Sequence, residues 1–271
     1  MHVGFIGLGS QGGPMARRIA EGGYPTTLWA RRPEALEAFA DTRAEIAESP
    51  AELAAASDLV CLCVIGDADI DELACGKKGL LWAMKPGSII AVHSTVHPNT
   101  CRELANKAAP QGVSVIDAPV SGGGAAAAEG RLLVMAGGDA GAVERCRPVF
   151  ETYADPVVHL GELGSGQTTK LLNNLMFTAH LATAATALAL AEQLGVEPDR
   201  LIEVVSRSSG NSFALDALGG IGGLDRLAGA AGGLLQKDVR LLVDLAERAG
   251  ANGGAVLDAA DAALTLMDHP R

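Results

Sequence analysis

Aromatic side chains are scarce in this 271-residue chain, which holds two Trp, two Tyr and five Phe. Basic residues are outnumbered too: Lys plus Arg is 21 against 32 Asp plus Glu, a formal charge of −11 at pH 7, and no basic run occurs. Such a surface repels nucleic acid and anionic membrane, so the expected partner is a small molecule. Cysteine is sparse and odd in number, five in all, with no CxxC pair and no zinc spacing. Cys61 and Cys63 alternate within LVCLCVI and should share one face of a strand. There they read as small buried hydrophobes, not redox groups. The first residues already read as a strand, leaving no room for a signal peptide, and a reducing cytoplasm is the expected compartment. One long apolar run exists, LMFTAHLATAATALALAEQLG over 175–195. Thr178, His180, Thr183, Thr186 and Glu192 interrupt it and Ala dominates Leu, so a helix buried between domains is expected before a membrane span.

Hydrophobic residues make up 48% of the chain, enough for one large domain or two modest ones. Up to about residue 160, short apolar runs alternate with helical segments. The runs are HVGFIG, PTTLWA, DLVCLCVI, SIIAVHS, VSVIDAP, LLVMAG and PVVHL; helices are expected over 12–21, 33–40, 50–56, 69–74, 98–108 and 142–150. Strands that are continuously apolar and alternate with helices imply a mostly parallel sheet covered on both faces. Beyond His159 the pattern is helical to the end, with a stop at Gly195 and a restart at Pro198. The expected organisation is an α/β domain over 1–163 and an all-α domain over 164–271. Within the second, GGIGGLDRLAGAAGG (219–233) carries three glycine pairs, which make a regular helix costly; a linker is expected ahead of a lid.

The stretch GLGSQG, comprising Gly7, Leu8, Gly9, Ser10, Gln11 and Gly12, follows the strand HVGFI and opens a helix. In a G-x-G-x-x-G turn the first glycine permits a tight bend, the second lets a pyrophosphate approach the backbone, and the third permits close helix–strand packing. The unpaired N–H groups of the helix start then face the diphosphate. A dinucleotide is the expected ligand. About twenty residues on, an NAD-preferring site would place an acid for the ribose 2′-OH, but LWARRPE places Arg31 and Arg32 there. Arginine offers a planar fork to phosphate, so NADP(H) is favoured, with NAD(H) as the alternative and two solvated arginines as the plain one.

Two further stretches carry chemistry. DAPVSGGGAAAAEGRL exposes a Ser and three glycines at a strand end, which suits a carboxylate held by amide dipoles, although a glycine-rich turn alone would look the same. GELGSGQTTKLLNN places Lys170 and Asn174 four apart on one helix face. An ammonium solvated at a helix start is the plain reading, but an almost wholly apolar sequence follows it. Burial lowers a lysine's pKa and suits it to exchange a proton with an alkoxide or alcohol. His93 and His97 are four apart in a strand context interrupted by Pro98, so no metal is expected.

GFIGLGSQGGPMARRI, DAPVSGGGAAAAEGRL and GSGQTTKLLNN, in this order and spacing, resemble the β-hydroxyacid dehydrogenase family. That family includes 3-hydroxyisobutyrate dehydrogenases, tartronate semialdehyde reductases and glyoxylate/succinic semialdehyde reductases, the last being closest in type. The resemblance covers nearly the whole chain. It implies a Rossmann-type domain, a long interdomain helix, an all-helical second domain, and a homodimer or homotetramer. It further implies that Thr95 lies near the nicotinamide ribose and that Ser121, Gly122 and Gly123 clamp the substrate carboxylate. By the same match, Lys170 is catalytic, Asn174 is the neighbouring substrate-binding amide, and Lys237 reaches the cofactor or substrate edge with Asp238 positioning it. Without the resemblance, Lys237 and Asp238 would read as a helix-surface charge pair. Gln11 stands where the family has Met; His93 is an unusual residue before Ser-Thr, expected to point near the site. AAGGLLQKD lacks the family's aromatic residue, which implies a more open pocket. The implied activity is NADP-preferring interconversion of a small β-hydroxy acid and its semialdehyde. An imine reductase of related architecture and a non-catalytic NADP(H)-binding sensor are the rivals.

Overall fold

The computed structural model describes residues 1–271, which form two compact units, Met1–Lys170 and Leu171–Arg271. The first begins with β1 (Val3–Ile6), α1 (Gly12–Glu21), β2 (Thr26–Trp29), α2 (Glu34–Glu37), β3 (Glu45–Ile46) and α3 (Pro50–Ala56). It continues with β4 (Leu59–Leu62), α4 (Asp67–Cys75), β5 (Ile89–Val92), α5 (Pro98–Ala108) and β6 (Ser114–Asp117). These six strands are all parallel in the order β3-β2-β1-β4-β5-β6. The chain winds outward from β1 in one direction, returns, and winds outward from β4 in the other, so a crevice opens between the carboxyl ends of β1 and β4.

Continuous apolar strands arise because each one feeds two cores. Val3, Phe5, Leu59, Cys61, Ile89 and Ala91 pack on one side with Met15, Ala16 and Ile19 of α1. Ile6, Val60, Leu62, Ile90 and Val92 pack on the other with Leu53 and Ala54 of α3. Cys61 and Cys63 do share a face. A second sheet follows: β7 (Val120–Ser121), α6 (Gly123–Ala128), β8 (Leu132–Ala136), α7 (Ala140–Phe150) and β9 (Ala154–His159), with β7 antiparallel and β9 parallel to β8. The two-residue strands β3 and β7 and the short helix α6 carry no periodic signal and are absent from the sequence reading.

The remaining elements are α8 (Ser165–Gln193), α9 (Pro198–Val205), α10 (Phe213–Ile221), α11 (Leu224–Arg248) and α12 (Gly254–Leu266). Helix α8 begins in the first unit and continues through the second. It passes the length and apolarity test for a membrane span, but Leu171, Leu175, Ala179, Leu181 and Ala182 join one cluster with Leu235 and Val239 of α11. The all-round burial expected of it does not occur: Leu172, Met176 and Leu190 are about half exposed, because the neighbouring helices cover only one of its faces.

The linker expected over 219–233 is instead helical on both sides of a two-residue break, Gly222 and Gly223, both at positive φ. Burial of Leu227 and Leu235 in the helical core outweighs the poor intrinsic propensity of the glycines in α11. Gly232 has a packing reason of its own, since a Cβ there would strike the His269 ring.

His93 also differs from expectation. It does not reach toward the site but lies 2% exposed in the core, between Phe5, Phe150 and Tyr153. Its Nδ1–H donates to the Ala118 carbonyl at 2.7 Å, which leaves Nε2 to accept from the Tyr153 hydroxyl at 3.2 Å. Burial holds the imidazole neutral, with its pKa drawn down to about 4. The unfolded chain therefore binds a proton at this residue that the folded chain refuses between pH 6.5 and 4. Stability should fall on acidification through that window, by about 3 kcal/mol from this residue alone. Urea melts at pH 7 and pH 4.5 should show a smaller pH dependence in His93→Leu; equal dependence in both proteins would refute this account.

Candidate active site

The glycine loop leaves β1 at the crevice, and its three glycines differ in what confines them. Gly7 sits at φ +102, and a Cβ there would strike the Cys63 carbonyl. A Cβ on Gly12 would strike the Gly7 carbonyl and press on Phe5 and Cys63 at 3.1 Å. Nothing lies within 4 Å of a Cβ built on Gly9. The outer two glycines thus serve the fold, whereas Gly9 faces open space, beside a cavity of about 350 Å³ that Leu8, Gly13 and Pro14 also line. Leu8 and Gln11 are partly covered, and Ser10 is exposed. Helix α1 has no side-chain N-cap and no acid in its first turn; Gly13 N–H donates to the Gly9 carbonyl at 2.9 Å and Pro14 has none, which leaves the Gly12 N–H and the positive end of the helix dipole to an anion. Loop, open glycine and uncapped helix start fit a dinucleotide diphosphate. Just beyond β2, Arg31 and Arg32 are both exposed, and Arg31 Nη2 lies 3.1 Å from Asp69 Oδ1 and 3.2 Å from Glu72 Oε2.

Ser121 closes β7, and Gly122 and Gly123 follow at φ +130 and +76, a backbone path that side-chain-bearing residues resist. A Cβ on the next residue, Gly124, would strike the Ser10 carbonyl. The residue that follows the Ser-Gly-Gly segment therefore sits directly on the glycine loop.

The start of α8 is held by a residue that the motif reading left without a role. The Asp117 carboxylate, at the end of β6, accepts from Gly164 N–H at 2.6 Å through one oxygen and from Gln167 N–H at 2.7 Å through the other. Burial pushes its pKa above the ordinary value despite these donors. The Gln167 amide, fully buried, then straddles the turn after β5. Its oxygen accepts from Val96 N–H at 3.0 Å and its NH₂ donates to the Ser94 carbonyl at 2.8 Å, with Thr95 between them. Ser94 Oγ accepts from Val64 N–H at 2.7 Å, tying in the end of β4. A Cβ on Gly166 would strike the Met135 carbonyl, so only glycine lets α8 approach β8 this closely. Lys170, 9% exposed, follows Gln167 by three residues, in the turn after this anchored one.

In the second unit, Asp238 of α11 is 4% exposed and joins two of the expected site residues. Its Oδ2 accepts from Asn174 Nδ2 at 2.6 Å and its Oδ1 receives the Lys237 ammonium at 2.7 Å. Asn173 Nδ2 donates in turn to Asn174 Oδ1 at 3.0 Å. His97 is engaged structurally, its Nδ1 accepting from Asn99 N–H at the start of α5. No three His, Cys, Asp or Glu side chains converge in an arrangement that could hold a metal. Gln167 and Asp117 lay inside quoted motifs, but only the fold brings residues 47 and 71 positions from their partners into contact.

Comparison with known proteins gives two family matches. Residues 2–161 match the NAD binding domain of 6-phosphogluconate dehydrogenase. Residues 164–266 match the NAD-binding domain of NADP-dependent 3-hydroxyisobutyrate dehydrogenase. L-Threonate dehydrogenase of Cupriavidus necator is 36% identical, the match covering 79% of this chain and 73% of that one. The NAD-dependent L-serine dehydrogenase of Pseudomonas aeruginosa is 35% identical over 79% of this chain and 72% of its own. The solved structure of Mycobacterium tuberculosis 3-hydroxyisobutyrate dehydrogenase with L-serine superposes with a TM-score of 0.84 at 29% identity, over 99% of this chain and 95% of that chain.

The anchoring of α8 is open to a direct check. Asp117→Asn keeps the shape but sets an NH₂ group against a backbone N–H. Chemical denaturation should register a loss of about 1–3 kcal/mol. Undiminished stability would mean that the cap is dispensable.

Proposed function

Because the chain belongs to the β-hydroxyacid dehydrogenase family, and is thereby a nicotinamide-dependent oxidoreductase of hydroxy acids, we propose that it interconverts a small β-hydroxy acid and its semialdehyde with preference for NADP(H). The observation that carries this reading is the buried Lys170, three residues past a buried Gln167 whose amide spans the Ser94–Val96 turn. An ammonium fixed on a rigid turn can be aimed at one substrate oxygen, which is what proton transfer in step with hydride transfer requires. When bound, the nicotinamide supplies or accepts the hydride.

Each remaining role belongs to this chain's own groups. Ser121 and the amides of Gly122 and Gly123 hold the substrate carboxylate, their positive-φ backbone turning N–H groups toward an anion. Lys170 protonates the developing alkoxide in reduction and accepts the alcohol proton in oxidation. Asn174, its own amide fixed by Asp238, binds a substrate oxygen, and Lys237, fixed by the same carboxylate, meets the cofactor or substrate edge. The open Gly9 and the uncapped start of α1 take the diphosphate, Thr95 adjoins the nicotinamide ribose, and Arg31 and Arg32 take the 2′-phosphate, with NAD(H) as the less favoured cofactor. The half-exposed Leu172, Met176 and Leu190 on α8 support association into a homodimer or homotetramer.

NADPH and NADH consumption against glyoxylate, succinic semialdehyde, tartronate semialdehyde and methylmalonate semialdehyde tests the reading. One aldehyde acid should turn over with NADPH preferred; binding of NADPH without turnover of any would refute it. In Lys170→Ala, kcat should fall by roughly 10²–10⁴-fold while the Kd for NADPH, followed by fluorescence titration, changes little. An unchanged kcat would remove the lysine from the reaction.

A further inference from the structure

The six-stranded order places β1 between β2 and β4. Arg31 follows the end of β2, whereas Asp69 and Glu72 stand on α4, which follows β4. The ion pairs of Arg31 with both acids therefore run from one flank of β1 to the other, past the carboxyl end where the diphosphate loop departs. Both carboxylates meet the same nitrogen, Nη2. Nη2 belongs to both two-nitrogen edges of a guanidinium, Nη1–Nη2 and Nε–Nη2, so an anion that seeks Arg31 in bidentate fashion competes with these carboxylates for that nitrogen.

Charge balance makes this arrangement consequential. Arg31 and Arg32 bring two positive charges to the end of β2, and Asp69 and Glu72 cancel them from α4. A phosphomonoester carries close to two negative charges at neutral pH. Seated on Arg31, it would lie beside two carboxylates, within the range over which like charges act on one another. The other two acids of α4 are committed elsewhere: Asp67 accepts from His97 N–H and the Thr100 hydroxyl at 2.8 and 2.6 Å, and Asp71 pairs with the Lys107 ammonium at 2.6 Å.

We infer that Asp69 and Glu72 are cofactor-specificity residues, which by neutralising the arginine pair limit the discrimination between NADP(H) and NAD(H). The inference rests on the assignment of Arg31 and Arg32 to the 2′-phosphate. Glu72 is the clean position to alter, because Asp69 also accepts from Gly66 N–H at 3.3 Å and so supports the loop itself.

The test is fluorescence titration of the purified protein with NADPH and with NADH, at low and at high salt, for Glu72→Gln, Glu72→Lys, Arg31→Ala and Arg32→Ala. Glu72→Gln should raise the NADPH-over-NADH affinity ratio by roughly two- to fivefold, the range of an exposed ion pair, and Glu72→Lys should raise it further. Both gains should shrink as salt is added. If the arginine variants lose NADPH affinity while the Glu72 variants leave the ratio untouched, this inference fails and the arginine assignment stands. If neither arginine variant weakens NADPH, the assignment falls and takes the inference with it.

Discussion

One buried carboxylate organises the region for which the catalytic role is proposed. Asp117 ends a strand and caps a helix, so the sheet and α8 are joined by two short hydrogen bonds instead of by packing alone. With the first turn of α8 fixed in this way, Gln167 reaches the turn after β5, and Lys170 follows in the next turn of the same helix. Burying the charge is unfavourable in itself, as the upward shift of its pKa records. The geometry that it enforces is of the kind that catalysis requires, with groups held before the substrate arrives.

The same economy is visible in the glycines. Gly7, Gly12, Gly124 and Gly166 are small because backbone passes against them, whereas Gly9 is small with no neighbour to accommodate. Internal packing accounts for the first four and gives no reason for the fifth, which suits the diphosphate proposed for it. No sequence motif draws this distinction.

The sheet was legible from the chain because its strands are apolar without interruption, a pattern that only a two-faced parallel sheet rewards. The three motifs that carry the proposed chemistry were legible for another reason: each needs particular residues close together in sequence. Asp117 and Gln167 were quoted yet unassigned, since their partners lie tens of residues away and nothing local marks them. His93 misled because its neighbours in sequence border the site while its side chain turns into the core, a direction set by strand register. The glycine pairs of 219–233 misled because propensity counts against a helix, whereas burial of Leu227 and Leu235 decides for one.

The contact of Gly124 with the Ser10 carbonyl has a thermodynamic consequence. The two segments for which separate ligands are proposed, a nucleotide and a carboxylate, share a single van der Waals surface, with no slack for a methyl group. Tightening either one on its ligand shifts the resting position of the other, so the two binding equilibria are linked. Such linkage is reciprocal. Whatever factor a bound nucleotide applies to the affinity for a carboxylate, the carboxylate must return to the nucleotide, through two backbones in contact.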